Sequence, residues 1–190
     1  MSASPAPRAL ALGARVALRR IHADDLGQIA RHPFTVSITA PLTHVDELAR
    51  AFGETGFWRE ESGAAAIVEC GSARLVGSIQ FYRAGPCLHG LELGYIIHNP
   101  ADRGKGLARE ALGLFSDHLF GVRPAHYRQQ LVIEVWNTPS WRLAERCGFL
   151  REGMLRSAGL GAGDPSDCFI HARTRKDYAE RRVTRIGVAS

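Results

Sequence analysis

The sequence predicts a single α+β domain, and three observations lead to it. Strand-like and helix-like apolar patterns alternate along 190 residues, a length that suits one domain with a sizeable core. In the middle, an apolar run over residues 91–97 meets an amphipathic helix across the glycine-rich turn Asn99-Pro100-Ala101-Asp102-Arg103-Gly104-Lys105-Gly106. At the end, two further strand runs over 149–156 and 168–174 close the chain. The patterns follow the order β-α-α-β-β-β-α-β-α-β-β, with no internal repeat and no sign of a second domain.

Each element has its own signal. Residues 1–14 open on Met1-Ser2-Ala3-Ser4-Pro5-Ala6-Pro7, which lacks a signal-peptide apolar stretch and reads as a disordered tail. The domain is expected over 15–178, and 179–190 form a basic tail. Residues 15–21 alternate weakly and read as an edge strand because of their arginines. Ala23-Asp24-Asp25-Leu26 starts a helix with acids where the dipole favours them, and His32-Pro33 stops it. Thr43 can cap a helix that carries Val45, Leu48, Ala49 and Phe52 on one side. Residues 64–69 and 75–82 read as a hairpin around Cys70-Gly71-Ser72-Ala73. After the turn, Leu107, Ala108, Ala111, Leu112, Phe115 and Leu119 repeat at helical spacing. A strand over 131–136 and a short helix over 139–147 follow, and the last two strands are separated by a flexible glycine-rich loop over 159–165.

Composition sets bounds on function. Charged residues at 23% and hydrophobic ones at 45% are ordinary for a soluble globular protein. No apolar run reaches the roughly 18–20 residues that span a membrane, so no membrane partner is expected. A net charge of +5 is mild; it favours an anionic ligand and does not indicate nucleic acid. Cys70, Cys87, Cys147 and Cys168 lie far apart without Cys-x-x-Cys pairing, as expected of free thiols in a reducing cytoplasm. The eight histidines are scattered too, so no metal is expected.

The central turn carries the chemistry. Strand, glycine-rich turn and helix together aim unpaired backbone N–H groups at one point, where a phosphate or pyrophosphate can sit. Gly104 and Gly106 permit dihedrals and close approach that a side chain would block, while Arg103 and Lys105 add positive charge at the rim. Neither a Gly-x-x-x-x-Gly-Lys-Ser/Thr loop nor the third glycine of a dinucleotide fingerprint is present. Arg103-Gly104-Lys105-Gly106-Leu107-Ala108 resembles the Arg/Gln-x-x-Gly-x-Gly/Ala signature of the GNAT superfamily of acetyl-CoA-dependent N-acetyltransferases. Asn137-Thr138-Pro139-Ser140, followed by Glu145-Arg146-Cys147-Gly148-Phe149, resembles the superfamily's later segment. Arg151-Glu152-Gly153-Met154-Leu155-Arg156 and then Asp167, Arg173, Thr174 and Arg175 are similar to the branch of ribosomal-protein N-terminal acetyltransferases.

The resemblance implies a mixed, mostly antiparallel sheet of about seven strands, splayed in the middle, with helices on both faces. It implies acetyl-CoA as co-substrate, with the pyrophosphate on the amides of Arg103, Gly104, Lys105, Gly106, Leu107 and Ala108. Main-chain groups of Ile96, Ile97 and His98 would meet the pantetheine arm, and the side chain of Asn137 would either meet it or only cap its helix. Acetyl transfer needs a neutral amine, a stabilised oxyanion and a proton for the departing thiolate. Ser140 shares a helix face with Leu143, Ala144 and Cys147 and either meets that sulfur or satisfies its own helix start.

One relative in the branch has a glutamate where this chain has Gly159, so that relative's base does not carry over directly. Glu92 is expected to serve, or else to be a paired strand carboxylate; Glu134 and Asp167 are alternatives. Phe34, Phe57, Trp58, Tyr82, Trp136 and the loop over 159–167 would line the acceptor end, unless the aromatics belong to the core. The expected acceptor is a primary amine, first of all a protein N-terminal α-amine, whose reference pKa near 7.7–8.0 suits a weak base. An antibiotic or polyamine acceptor, or an acyl-CoA-binding module without turnover, are the alternatives. Either a monomer or a homodimer fits.

Overall fold

The computed structural model describes residues 9–32, 44–85, 89–161 and 164–180. Phe34, Pro33, Thr43 and Cys87 lie outside them. Eight strands and four α-helices follow the expected order, with one short strand added at the start: β1 (Ala11–Leu12), β2 (Val16–Arg20), α1 (Leu26–Ile29), α2 (Val45–Thr55), β3 (Ser62–Glu69), β4 (Leu75–Arg83), β5 (Gly90–Ile97), α3 (Leu107–Val122), β6 (Arg128–Glu134), α4 (Thr138–Arg146), β7 (Leu150–Gly161) and β8 (Asp164–Thr174). The strands are hydrogen-bonded in the order β1-β2-β3-β4-β5-β6-β8-β7. The chain divides into two compact units, one of residues 1–82 and 95–118, the other of 83–94 and 119–190. Strand β5 and helix α3 each contribute a part to both.

In the first unit, β2, β3 and β4 form an antiparallel sheet whose alternation buries both faces. Ala64, Ala66 and Val68 of β3 pack with Ile21, Leu26, Ile29, Leu48 and Phe57, so α1 and α2 cover that face. Phe81 lies in register with Gly63, on the other face, and meets Phe115 of α3 at a ring distance of 6.1 Å. Helices therefore lie on both faces. The buried stripe of α3 is Leu107, Ala111, Leu112, Phe115 and Leu119, as the spacing predicted. Helix α2 departs from expectation: Val45 and Ala49 are exposed, and its inner side is Leu48 with Ala51 and Phe52. Strand β2 is no edge, because Ala17 and Leu18 pair with Leu12 and Ala11, inside the expected tail.

In the second unit, β5 runs parallel to β6 over Gly90↔Arg128, Leu91↔Gln129 and Glu92↔Gln130. The ladder ends there although both strands run on. Strand β6 pairs antiparallel with β8, and β8 with β7. Two expectations fail here. Trp136 leaves the strand, because the Asn137 N–H donates to the Glu134 carbonyl and turns the chain. The expected loop over 159–165 is ladder instead: Gly159 pairs with Ser166, Leu160 with Pro165 and Gly161 with Asp164. Helix α4 packs on one face of this sheet, where Trp141 meets Phe169 edge-on at 6.1 Å and the Arg151 guanidinium lies 4.0 Å over the Phe169 ring.

Candidate active site

The first unit holds the coenzyme-type turn. Asn99 Oδ1 accepts from the Ala101 N–H at 2.9 Å and starts a 3-10 turn, Pro100–Asp102. Asp102 is buried and accepts from Arg74 Nη1 at 2.6 Å and from Lys105 Nζ at 3.0 Å. These two cations hold its carboxyl far below the usual carboxylate range. The Lys105 ammonium thus pairs with Asp102 while its side chain stays 56% exposed, and Arg103 Nη2 donates to the Ile97 carbonyl at 3.4 Å. Gly104 and Gly106 adopt φ of 75° and 80°, the left-handed region that only glycine enters without strain. The first main-chain bond of α3 runs from the Glu110 N–H to the Gly106 carbonyl, so the amides of Leu107 and Ala108 precede its ladder. A Cβ on Gly104 would meet nothing within 4 Å, and one on Gly106 only the Arg15 guanidinium. An open cradle of amides at a helix start fits a diphosphate.

Ile96, Ile97 and His98 lie in the same unit. The His98 N–H donates to the Val76 carbonyl at 3.0 Å, so of its two main-chain groups the amide is committed to the sheet. The Ile96 carbonyl fills the space that a Cβ on Gly77 would need, which explains that glycine. The His98 side chain is buried: Gln28 Nε2 lies 3.0 Å from Nδ1, and His32 stacks on the ring at 4.3 Å. Burial first, then His32, lowers its pKa to about 4. Of the expected acceptor aromatics in this unit, Phe57 is core at 3% exposure, Trp58 packs on Phe81 and Phe115, and Tyr82 is half-buried on β4.

The second unit holds Glu92, Glu134, Asn137 and Ser140. Register puts Glu92, Gln130, Glu134 and Cys168 on one face of the β5–β6–β8 ladder, and Phe169 and His171 on the other, against α4. Glu92 Oε2 accepts from Gln130 Nε2 at 2.9 Å, and Gln130 Oε1 in turn accepts from Arg128 Nε at 3.1 Å. Glu134 Oε1 accepts from Ser166 Oγ at 2.7 Å, and Asp167 Oδ1 accepts from the Ser157 N–H at 2.9 Å. The Cys168 thiol has its pKa raised by burial first and then by the charges of Glu134, Asp167 and Glu92. A Cβ on Gly159 would lie 2.5 Å from Ser166 Oγ and 2.9 Å from Cys168 Sγ and Glu134 Cγ, so Glu134 occupies the ground beside that glycine.

On α4, Ser140 and Leu143 are half-buried while Ala144 and Cys147 are buried, the face that was expected. Asn137 takes the N-cap position without a side-chain cap bond. Trp136 is 65% exposed in its turn. Sequence reading missed Arg15, Arg74, Gln130 and Ser166. Only Gln130 carried a signal, a polar residue inside an apolar strand; the others are set by contacts between distant segments. Among the described residues, no group of three or more His, Cys, Asp or Glu is placed to hold a metal ion, and no helix is long and apolar enough to cross a membrane.

Comparison with known proteins gives a family and a fold. A family model described as an acetyltransferase (GNAT) domain matches residues 15–150. An SPbeta prophage-derived uncharacterized N-acetyltransferase, YokL of Bacillus subtilis, is 33% identical over 76 residues. That match covers 40% of this chain and only 42% of the relative's length. Among solved structures, a dodecameric spermidine N-acetyltransferase from Vibrio cholerae superposes with a TM-score of 0.73 at 22% identity, covering 87% of this chain and 97% of that one. A GNAT-family acetyltransferase from Bacillus anthracis gives 0.70 at 19% identity, over 87% and 98%. At these identities the structures speak for the fold.

Proposed function

The chain belongs to the GNAT acetyltransferase family, which makes it an acyltransferase by kinship, and from that premise we propose that it moves the acetyl group of acetyl-CoA to a primary amine of a small cationic acceptor. The observation that carries the acceptor class is the set of Glu92, Glu134 and Asp167. Each accepts a hydrogen bond from a neutral donor, from Gln130, Ser166 and the Ser157 N–H, and these bonds orient the carboxylates. The spermidine N-acetyltransferases among the structural relatives support the same class. A protein N-terminal α-amine is the weaker reading, because the comparisons lend it no support.

Acetyl-CoA supplies an activated thioester. The residues divide the remaining work by face of the sheet. Glu92 and Glu134 lie opposite α4, where an ammonium group would be held and one proton drawn from it before its nitrogen bonds the thioester carbon; the nitrogen's second proton leaves to solvent from the tetrahedral adduct. Ser140, on α4, donates its hydroxyl proton toward sulfur as the carbon–sulfur bond breaks, and regains one from solvent. The Arg103–Ala108 amides and Asn137 hold the coenzyme. The domain carrying this activity is proposed to span 15–178. An acetyl-CoA turnover assay across polyamines, aminoglycosides, lysine peptides and N-terminal peptides tests the reading. Turnover highest with a polyamine supports it; turnover confined to peptide α-amines reverses the acceptor, and binding of coenzyme A without turnover on any amine makes the chain a binding module.

A further inference from the structure

We propose that Arg15 is a positioning residue for the phosphate-bearing part of the coenzyme, an inference that rests on the coenzyme site proposed above. Arg15 stands at the turn between β1 and β2, far from the signature Arg103–Ala108 in sequence. Its backbone is fixed at both ends: the Cys70 N–H donates to its carbonyl at 2.8 Å, and its own N–H donates to Glu110 Oε1 at 3.0 Å. From that anchor the side chain reaches the coenzyme turn, where Nη1 donates to the Lys105 carbonyl at 2.7 Å. Its guanidinium is the group nearest to Gly106, 3.0 Å from where a Cβ would stand.

Two consequences follow for an anion on this turn. First, an Arg15 N–H engages the Lys105 carbonyl, so that this acceptor is occupied beside the amides of the turn. Second, Glu110 sits in the first turn of α3, where the helix dipole welcomes its charge but a diphosphate must share the same end. Arg15 Nε lies 3.6 Å from Glu110 Oε2 and offsets that charge. The remaining guanidinium edge faces solvent, since the side chain is 55% exposed. A planar guanidinium with several donors suits a phosphate better than an ammonium does. Lys105 and Arg103, the cations of the motif itself, meet Asp102 and the Ile97 carbonyl, and Arg15 adds a third cation at this turn.

Calorimetric titration of the full chain with coenzyme A and with pantetheine, which lacks the phosphates, tests the assignment. Arg15→Ala should weaken coenzyme A about 10-fold or more, leave pantetheine within about 2-fold, and flatten the salt dependence of coenzyme A affinity. Arg15→Lys should recover part of the loss, and Glu110→Gln in the Arg15→Ala background should recover part by removing the opposing charge. Equal coenzyme A affinity and salt dependence in wild type and Arg15→Ala would overturn the proposal. So would an equal loss for both ligands, or a large fall in the urea midpoint, since either would make Arg15 a brace of the fold. A wild-type protein that binds no coenzyme A would overturn the proposed function itself and this inference with it.

Discussion

Ser140 occupies the border between the buried and exposed parts of α4, one turn before Ala144, and a hydroxyl placed there can meet a ligand without losing its helix. If it protonates or hydrogen-bonds the departing thiolate, the interaction belongs to the transition state. Ser140→Ala should then lower kcat by about 10-fold to 100-fold and leave the coenzyme A dissociation constant nearly unchanged, which steady-state rates and a binding titration together would show. Glu92 makes a second residue-scale case. Its bond from the Gln130 amide fixes Oε2. Glu92→Gln should depress turnover most at low pH, where the amine is charged, and progressively less toward the amine's own pKa. An unchanged pH–rate profile would pass the role to Glu134. The sequence could name Glu92 as a candidate but not its partner, because Gln130 reaches it only through the parallel register of β5 and β6.

Among the elements, the β7–β8 hairpin shows how a composition rule was overridden. Glycines over 159–163 read as loop, yet Gly159 is a ladder residue because side chains of Ser166, Cys168 and Glu134 already fill its place. A test lies within β7 itself. Gly159→Ala should cost about 1–3 kcal/mol in urea unfolding by overpacking, while Gly153→Ala, whose Cβ would meet only Ile170 Cγ2 at 4.0 Å, should be neutral or slightly stabilising. Equal effects at the two glycines would mean that crowding is not the reason for Gly159. Strong periodicity was legible: α3 and its buried stripe, the β3–β4 hairpin and the inner face of α4 stand where spacing put them. Ends of elements were not. Val135 and Trp136 extend the apolar run of β6, but the Glu134–Asn137 bond ends the strand, and nothing local signals a turn bond of that kind.

At the scale of the whole molecule, the order of elements could be read from the sequence and the glycine-rich turn before α3 stood out, because both are local patterns. What could not be read is how distant segments meet: Arg74 on Asp102, Arg15 on Lys105, and the histidine cluster around His98. That cluster sets how global stability depends on pH. His98 is 4% exposed, faces Gln28, Ser78 and His32, and titrates near 4 in the folded chain against 6.5 in the unfolded one. Between these values the unfolded chain binds the extra proton, so its stability contribution is whole above pH 6.5 and is lost as pH falls toward 4. His171, lowered chiefly by burial, acts in the same direction. Asp25 and Asp102, held down by Arg19 and Arg74, lose their contributions only below the ordinary carboxylate range, near 3.8, while Glu152, held below 4.5 by Arg128, begins to lose its own at the lower edge of this window. The urea unfolding free energy should therefore fall by about 2–3 kcal/mol from pH 7.5 to pH 4.5 on account of His98. His98→Gln, whose amide can still meet Gln28 and Ser78, should remove most of that slope, and an unaltered slope in this variant would show that other groups carry the pH dependence.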